Sequence, residues 1–221
     1  MMSDIFVTGC DDKTAWQLPW FLHHFRANNE GQHLVLADFG LSDTSVYSEF
    51  DGVIMIDDHD GAGWFKKPSA IETASKLEGV ERTCWLDTDC EVKGDISGIF
   101  QYAQREMLGM VEDRPWTFRR PNLGEWYNSG VVVVNRTPYI LTQWKKRCIE
   151  EPVQGDQEVL HLMMDGNRLK KIQYINPVPH KYNTLRLDHL DGIAVNKPLV
   201  EHHTGSKGKE VIRRQINELF N

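Results

Sequence analysis

The chain has 221 residues, a formal net charge of −7, and 40% hydrophobic against 26% charged residues, the balance of an ordinary globular protein. Net negative charge argues against a protein whose main task is gripping nucleic acid backbones, because that affinity comes from lysine and arginine neutralising phosphates. No apolar run approaches the roughly 20 residues that span a bilayer, and a chain of this size hides about 70% of its unfolded surface, so stability requires neither disulfides nor a structural metal.

The opening MMSDIFVTGCDD lacks the basic and long apolar regions of a secretory signal, which predicts a soluble cytoplasmic protein. From there, short apolar runs rich in β-branched residues alternate with longer segments of helical period. That is the pattern of βαβ units in a mostly parallel α/β sheet flanked by helices, here one domain over 1–221. The spacing predicts a strand over 4–8, a helix over 16–28, and strands over 34–38 and 52–56. The acidic, glycine-bearing stretch 57–63 reads as a solvated turn. Pro68 fits the first turn of a helix that aligns Ile71, Ala74 and Leu77. Next comes CWLDTDCEV at 84–92, an apolar strand that runs into Asp87 and Asp89. A helix over 96–105 and a strand over 108–111 follow, and Val131, Val132, Val133 and Val134, apolar on both faces, predict a central strand. Helices are expected over 138–148, 156–164 and 210–220, the last with Val211, Ile212, Ile216 and Leu219 at helical spacing. Cys10, Cys84, Cys90 and Cys148 show no CxxC pair and no zinc spacing, and read as reduced thiols. The short basic clusters Lys66-Lys67, Arg119-Arg120 and Lys207-Gly208-Lys209 read as solvated surface.

In open parallel sheets ligands sit outside the carboxyl ends of the strands. Two carboxylates at spacing i, i+2 leaving a buried strand at that edge can both reach one hard cation, which removes their mutual repulsion. Asp87 and Asp89 have that placement. Asn128, Ser129 and Gly130 put an amide, a hydroxyl and open backbone beside an apolar strand, and such groups need partners, either a ligand such as a sugar or backbone in a turn. Asp156 is a good N-cap by type whatever the function.

Taken in order, LDTDCEV with Asp87 and Asp89, YNSGVVVVN at 127–135, GDQEVL at 155–160 and EHHTGSKGK at 201–209 resemble nucleotide-sugar glycosyltransferases of the GT-A fold. Among these the likeness is to glycosyltransferase family 8 and its small bacterial and viral relatives. The resemblance implies a GT-A fold and transfer of a sugar from a UDP-sugar donor to a hydroxyl of a carbohydrate or glycoconjugate. It implies Mn2+ or Mg2+ held by Asp87, Asp89 and His202, with Asp87 also touching ribose and His203 as the other candidate ligand. Thr8, Gly9 and Asp11 would meet uracil and ribose, and Trp16 is a candidate for base stacking that fits a core face with Trp20 equally. Lys67 would meet the diphosphate or sugar, and Asn128, Ser129 and Gly130 the sugar. Lys207, with Lys209 as the alternative, would meet the diphosphate. Asp156 and Gln157 would lie beside the anomeric carbon: Asp156 as general base if configuration inverts, either residue stabilising an oxocarbenium-like centre if it is retained.

Two rival readings are a sugar nucleotidyltransferase and a metal-dependent carbohydrate-binding protein. The first normally has a glycine-rich basic loop after the first strand, and TGCDDKTAW does not supply it; the second would use the seven tryptophans and acidic loops to hold glycans. Neither GxGxxG nor GxxxxGK[ST] occurs.

Overall fold

The apolar β-branched runs pair into one large sheet, and the segments of helical period pack on its two faces. The computed structural model describes residues 3–193 and 195–220. The chain runs β1 (Ser3–Cys10), α1 (Leu18–Asn28), β2 (Leu34–Asp38), β3 (Gly52–Met55), α2 (Gly63–Ser75), β4 (Val80–Leu86), β5 (Cys90–Val92) and β6 (Leu108–Glu112). It continues through α3 (Arg114–Arg119), β7 (Tyr127–Asn135), α4 (Tyr139–Glu150), α5 (Asp156–Met164), α6 (Arg168–Tyr174) and β8 (Ile175–Pro177). Last come β9 (Thr184–Leu185), α7 (Arg186–Leu190), β10 (Val200–His202) and α8 (Gly205–Phe220).

Among the described residues the main sheet has seven strands in the order β3-β2-β1-β4-β7-β6-β8. Six share one direction, and β7 is reversed, antiparallel to both β4 and β6. The reversal matters for the site. It brings the first residues of β7 to the same edge as the carboxyl end of β4, where the Asp87 N–H donates to the Gly130 carbonyl at 2.8 Å.

Alternation along the strands splits the core in two. Ile5, Val7, Trp85, Val132 and Val134 face Ile71 and Ala74 of α2, Leu141 and Trp144 of α4 and Leu160 of α5. Phe6, Cys84, Leu86, Val131 and Val133 face Phe21 and Phe25 of α1 and Ile212 of α8. The valine run is thus buried on both faces, as its composition predicts.

A second, three-stranded sheet in the order β5-β10-β9 links the late part of the chain to the acidic turn. In its register His202 lies opposite Cys90, and the His203 N–H donates to the Asp89 carbonyl at 2.9 Å. Helix α8 follows directly. Gly208 there packs so tightly that a Cβ would fall 2.9 Å from the His203 Cα, which explains the glycine between the two lysines.

Helix α2 begins at Gly63, so Pro68 sits inside it, and Leu77 lies beyond its end. A proline there removes one intrahelical hydrogen bond, to the Trp64 carbonyl. Tertiary bonds hold the extra turn: the Lys66 ammonium donates to the carbonyls of Phe39 and Ile56 at 3.3 and 3.1 Å. Lys66 and Lys67 are therefore buried rather than solvated. The helix expected over 96–105 is a 3-10 turn over Ser97–Tyr102, and Gly98, a poor helix former, lies within it against the Tyr182 hydroxyl. Helix α1 starts after a 3-10 turn over Ala15–Gln17, and α8 starts at Gly205 rather than at 210. The N-cap of α5 is Gly155, with Asp156 as the first helical residue. Trp20 is core, and the ring of Trp16 is covered by the Arg213 guanidinium at 4.7 Å. All four cysteines are buried and free. No described helix is long and apolar enough to cross a membrane.

Helix α5 is held on the body partly by His161, which stacks on Trp126 with ring centroids 3.8 Å apart and planes within 3°. Burial, assisted by Lys171, pushes the His161 imidazole down to about 4. The fold therefore favours the neutral ring. Between the usual histidine value near 6.5 and about 4, the unfolded chain binds a proton that the fold refuses, so stability falls as pH drops through that window. In urea titrations at pH 7 and 5, the wild type is expected to lose more stability on acidification than His161→Phe, which keeps an aromatic ring but cannot titrate. Equal losses in the two proteins would contradict this.

Candidate active site

At the carboxyl edge of β1 and β4 lies a cleft of about 340 Å3. Gly9, Asp11, Thr14 and Gln17 form one wall, Gly63, Trp64 and Lys67 of α2 another, and Asp87, Thr88 and Asp89 the floor. Lys209 of α8 closes the far side.

The two aspartates occupy the turn between β4 and β5, closed by the Cys90 N–H donating to the Asp87 carbonyl at 3.0 Å. Their side chains are held differently. Asp87 accepts from the Trp85 indole N–H at 2.6 Å and pairs with the Lys67 Nζ at 3.0 Å. Asp89 faces His202, with Oδ1 3.0 Å from Nε2, and Asp87 Oδ2 lies 3.8 Å from the same nitrogen. The His202 ring nitrogen thus faces both carboxylates, Asp89 more closely than Asp87.

Lys67, only 3% exposed, is the positive centre of the cluster. Besides Asp87 its ammonium reaches Asp156 Oδ2 at 3.2 Å and the carbonyl and hydroxyl oxygens of Ser129, each at 3.1 Å. Burial works against that charge, but Asp156 and Asp87 outweigh it and hold the lysine above its ordinary value. One cation is shared by two anions. Asp156, buried behind Lys67 and also repelled by Asp87, bears the deficit: burial first and Asp87 after it raise its carboxyl above the usual range despite Lys67.

Asp89 and His202 show the opposite balance. Burial disfavours the Asp89 charge, yet His202, then Lys209 and Lys67, hold its carboxyl below the ordinary value. For His202, burial is outweighed by Asp89 and Asp87, which raise the ring above the usual histidine value. Positive charge is favoured at the point where these oxygens and the imidazole nitrogen meet.

Carboxylate oxygens with one imidazole are a donor set that fits a divalent cation. Ligand atoms of Asp89, Cys90 and His202 lie within 4.8 Å of one another. Cys90 is a poor member, because burial raises its thiol well above the ordinary value and the metal-binding form is the thiolate.

Gly9 and Asp11 line the cleft, Asp11 with one oxygen accepting from the backbone of Lys13 and Thr14, while Thr8 is fully buried beneath. A Cβ on Gly9 would fall 2.8 Å from the Ala37 carbonyl, so this glycine admits a neighbouring strand. Asn128 is turned inward, bonded to Asn183 and Gln157. Gly130 makes room for the His202 ring: a Cβ would fall 2.5 Å from Nδ1. His203 points to the other face, 2.8 Å from Glu91, in a separate group with Glu201 that Lys93 ties together. Lys207 is exposed and outside the cleft lining, whereas Lys209 lines it, because two residues further round α8 faces the acidic turn.

Sequence reasoning missed Asp113 and Asn183. Asp113 follows β6 at the same edge as Asp87 follows β4, and caps α3 by accepting from the Trp116 N–H at 3.1 Å. A strand-end carboxylate was the available signal. Asn183, in KYNTL, carries no local signal.

No protein-family profile and no curated protein sequence matches the chain. Solved structures do. The galactosyltransferase LgtC, in complex with donor and acceptor sugar analogs, aligns at a TM-score of 0.68 with 14% identity, over 99% of this chain and 97% of that one. The glycosyltransferase GlyE of Streptococcus pneumoniae TIGR4, in its apo form, aligns at 0.61 with 19% identity, over 92% of this chain and 55% of GlyE. A glycosyltransferase involved in the glycosylation of the major capsid of PBCV-1 aligns at 0.60 with 15% identity, over 96% of this chain and 97% of that one. The fold is the GT-A fold of these enzymes.

Proposed function

We propose that residues 1–221 act as one GT-A domain, a cytoplasmic glycosyltransferase that moves a sugar from a UDP-sugar to a hydroxyl of a carbohydrate or glycoconjugate. The observation that carries this reading is the meeting of Asp87, Asp89, His202 and Lys67 at one strand edge, in a fold shared with solved glycosyltransferases. Asp87, Asp89 and His202 would hold Mn2+ or Mg2+. When bound, such an ion supplies Lewis-acid stabilisation of negative charge on a departing diphosphate.

The chain's own groups do the rest. Lys67 and Lys209 flank the acidic turn and offer positive charge to a diphosphate. Asp11 and Gly9 form the wall suited to the nucleoside. Asp156, whose burial raises its proton affinity, is the carboxylate fitted to accept the acceptor hydroxyl's proton if configuration inverts. If configuration is retained, Asp156 and Gln157 at the start of α5 supply negative and polar groups for an oxocarbenium-like centre. Ser129 steadies Lys67 from below.

The test is hydrolysis of UDP-sugars in the presence of Mn2+. The wild type is expected to release UDP, and Asp89→Ala is expected to lose at least about 100-fold of that rate, the scale seen when one electrostatic stabiliser of a transition state is removed. Because a purely binding protein would release none, the same assay separates catalysis from glycan binding. An unchanged rate in Asp89→Ala would refute the assignment.

A further inference from the structure

His202 reaches the acidic turn through its Nε2, and its other ring nitrogen is held by a buried chain of amides. Nδ1 lies 3.1 Å from Asn183 Oδ1, Asn183 Nδ2 donates to Asn128 Oδ1 at 2.8 Å, and Asn128 Oδ1 also accepts from the Gly130 backbone N–H at 2.9 Å. The far end is anchored as well. Asn128 Nδ2 donates to Gln157 Oε1 at 3.2 Å, and that oxygen also accepts from the Ser129 backbone N–H at 3.4 Å. Gln157 Nε2 and Asn128 Nδ2 both donate to Asp113 Oδ2, at 3.2 and 3.4 Å.

The polarity of this chain is determined by the backbone. A backbone N–H can only donate, so the Asn128 atom facing Gly130 N must be its oxygen. The Asn183 atom facing that oxygen must then be its NH2, and the Asn183 oxygen is left for His202. Reversing Asn183 would set two carbonyl oxygens 2.8 Å apart, and Asn183 is fully buried, so no water compensates. Leaving buried polar groups unpaired costs about 1–3 kcal/mol each.

We propose that Asn183 is a positioning residue that holds the proton of His202 on Nδ1, so that Nε2 is the ring nitrogen turned toward Asp89 and Asp87 and, when a divalent cation displaces its proton, the one that offers a lone pair. Histidine ligands to metals are commonly oriented in this way by a hydrogen bond at the other nitrogen. In this chain the orienting group is an amide whose own direction is dictated by the Ser129–Gly130 backbone. The same amides run on to Gln157. The ligand nitrogen and the start of α5 are thereby held by one set of bonds.

The inference rests on reading His202 as a metal ligand, and the experiment separates the two. Wild-type protein loaded with Zn2+, a diamagnetic probe, is examined by long-range 1H–15N correlation, with His202 assigned by comparison with His202→Ala. The expected pattern has a protonated Nδ1 and an unprotonated Nε2, and a proton on Nε2 overturns the proposal without need of any variant at position 183. Mn2+ affinity is then titrated for Asn183→Leu, which loses the acceptor for His202, and Asn183→Asp, which keeps it, both giving up the donor to Asn128. Asn183→Leu is expected to bind about 10–100-fold more weakly than wild type, and Asn183→Asp at least about tenfold more tightly than Asn183→Leu. A merely structural role would weaken both alike, and that result overturns the proposal. If His202→Ala binds Mn2+ as wild type does, the ligand reading falls and this inference with it. If His202→Ala loses binding while Asn183→Leu keeps it, the inference alone falls.

Discussion

Replacing Lys67 with methionine is expected to destabilise the protein by about 3–5 kcal/mol, the cost of breaking a buried ion pair by removing one partner. The lysine is 3% exposed and lies within 3.2 Å of carboxylates from two different elements, Asp87 after β4 and Asp156 at the head of α5. Methionine fills a similar volume, so the loss measures charge rather than packing. Without the ammonium, two carboxylates and the Ser129 carbonyl and hydroxyl remain around an apolar side chain. Asp156, already raised by burial, is then expected to take up a proton. Combining Lys67→Met with Asp156→Asn is expected to cost less than the sum of the two single changes, because the second removes the charge the first has stranded. Urea unfolding of the four proteins in the cycle provides the measurement. A loss below about 1 kcal/mol for Lys67→Met, in the range of an exposed ion pair, would show that the cluster is solvated rather than buried.

The second large effect is expected from the smallest possible change, Gly130→Ala. The added methyl would lie 2.5 Å from His202 Nδ1 and 2.9 Å from Asn128 Oδ1, well inside van der Waals contact. Neither neighbour can move cheaply. His202 is fixed between Asn183 and Asp89, and Asn128 between the Gly130 N–H and Asn183. Overpacking of this kind costs about 1–3 kcal/mol. Because the ring that must yield is a proposed metal ligand, Mn2+ affinity is expected to fall by at least about tenfold, the lower end for disturbed ligand orientation. Calorimetric titration of Mn2+ into refolded Gly130→Ala checks this. Wild-type affinity in the variant would mean that the ring at 202 is not held against Gly130.

These two residues also show what was legible in the sequence. The acidic pair was legible because two like charges behind the apolar Cys84-Trp85-Leu86 require an explanation, and strand-edge chemistry provides one. The valine run was legible as an interior strand because it has no polar face. Its direction was not, since an apolar run looks the same whichever way it points. The reversal of β7 is what brings Asn128, Ser129 and Gly130 to the edge where Asp87 emerges; a parallel strand entering there would have put them at the opposite end of the sheet. Local composition misled at Lys66-Lys67, where a basic pair before a proline reads as surface. Two carbonyls and two carboxylates from distant elements draw both ammoniums inward, and no local window contains those partners. Lys209 rather than Lys207 faces the cleft because α8 begins at Gly205, which sets the phase of the helix. Asn183 was invisible for the same reason as the partners of Lys67: its meaning lies in a register between β9 and β10, not in its neighbours along the chain.

UDP bound through a divalent ion shared by the acidic turn and His202 would require both the metal and Asp89. Calorimetric titration of UDP into the wild-type protein, with Mn2+ and then with EDTA, measures that requirement. UDP is expected to bind at least about tenfold more tightly with Mn2+, and this dependence is expected to disappear in Asp89→Ala. Equal affinity in Mn2+ and EDTA, or metal-dependent binding of a different nucleoside diphosphate in preference to UDP, would contradict it.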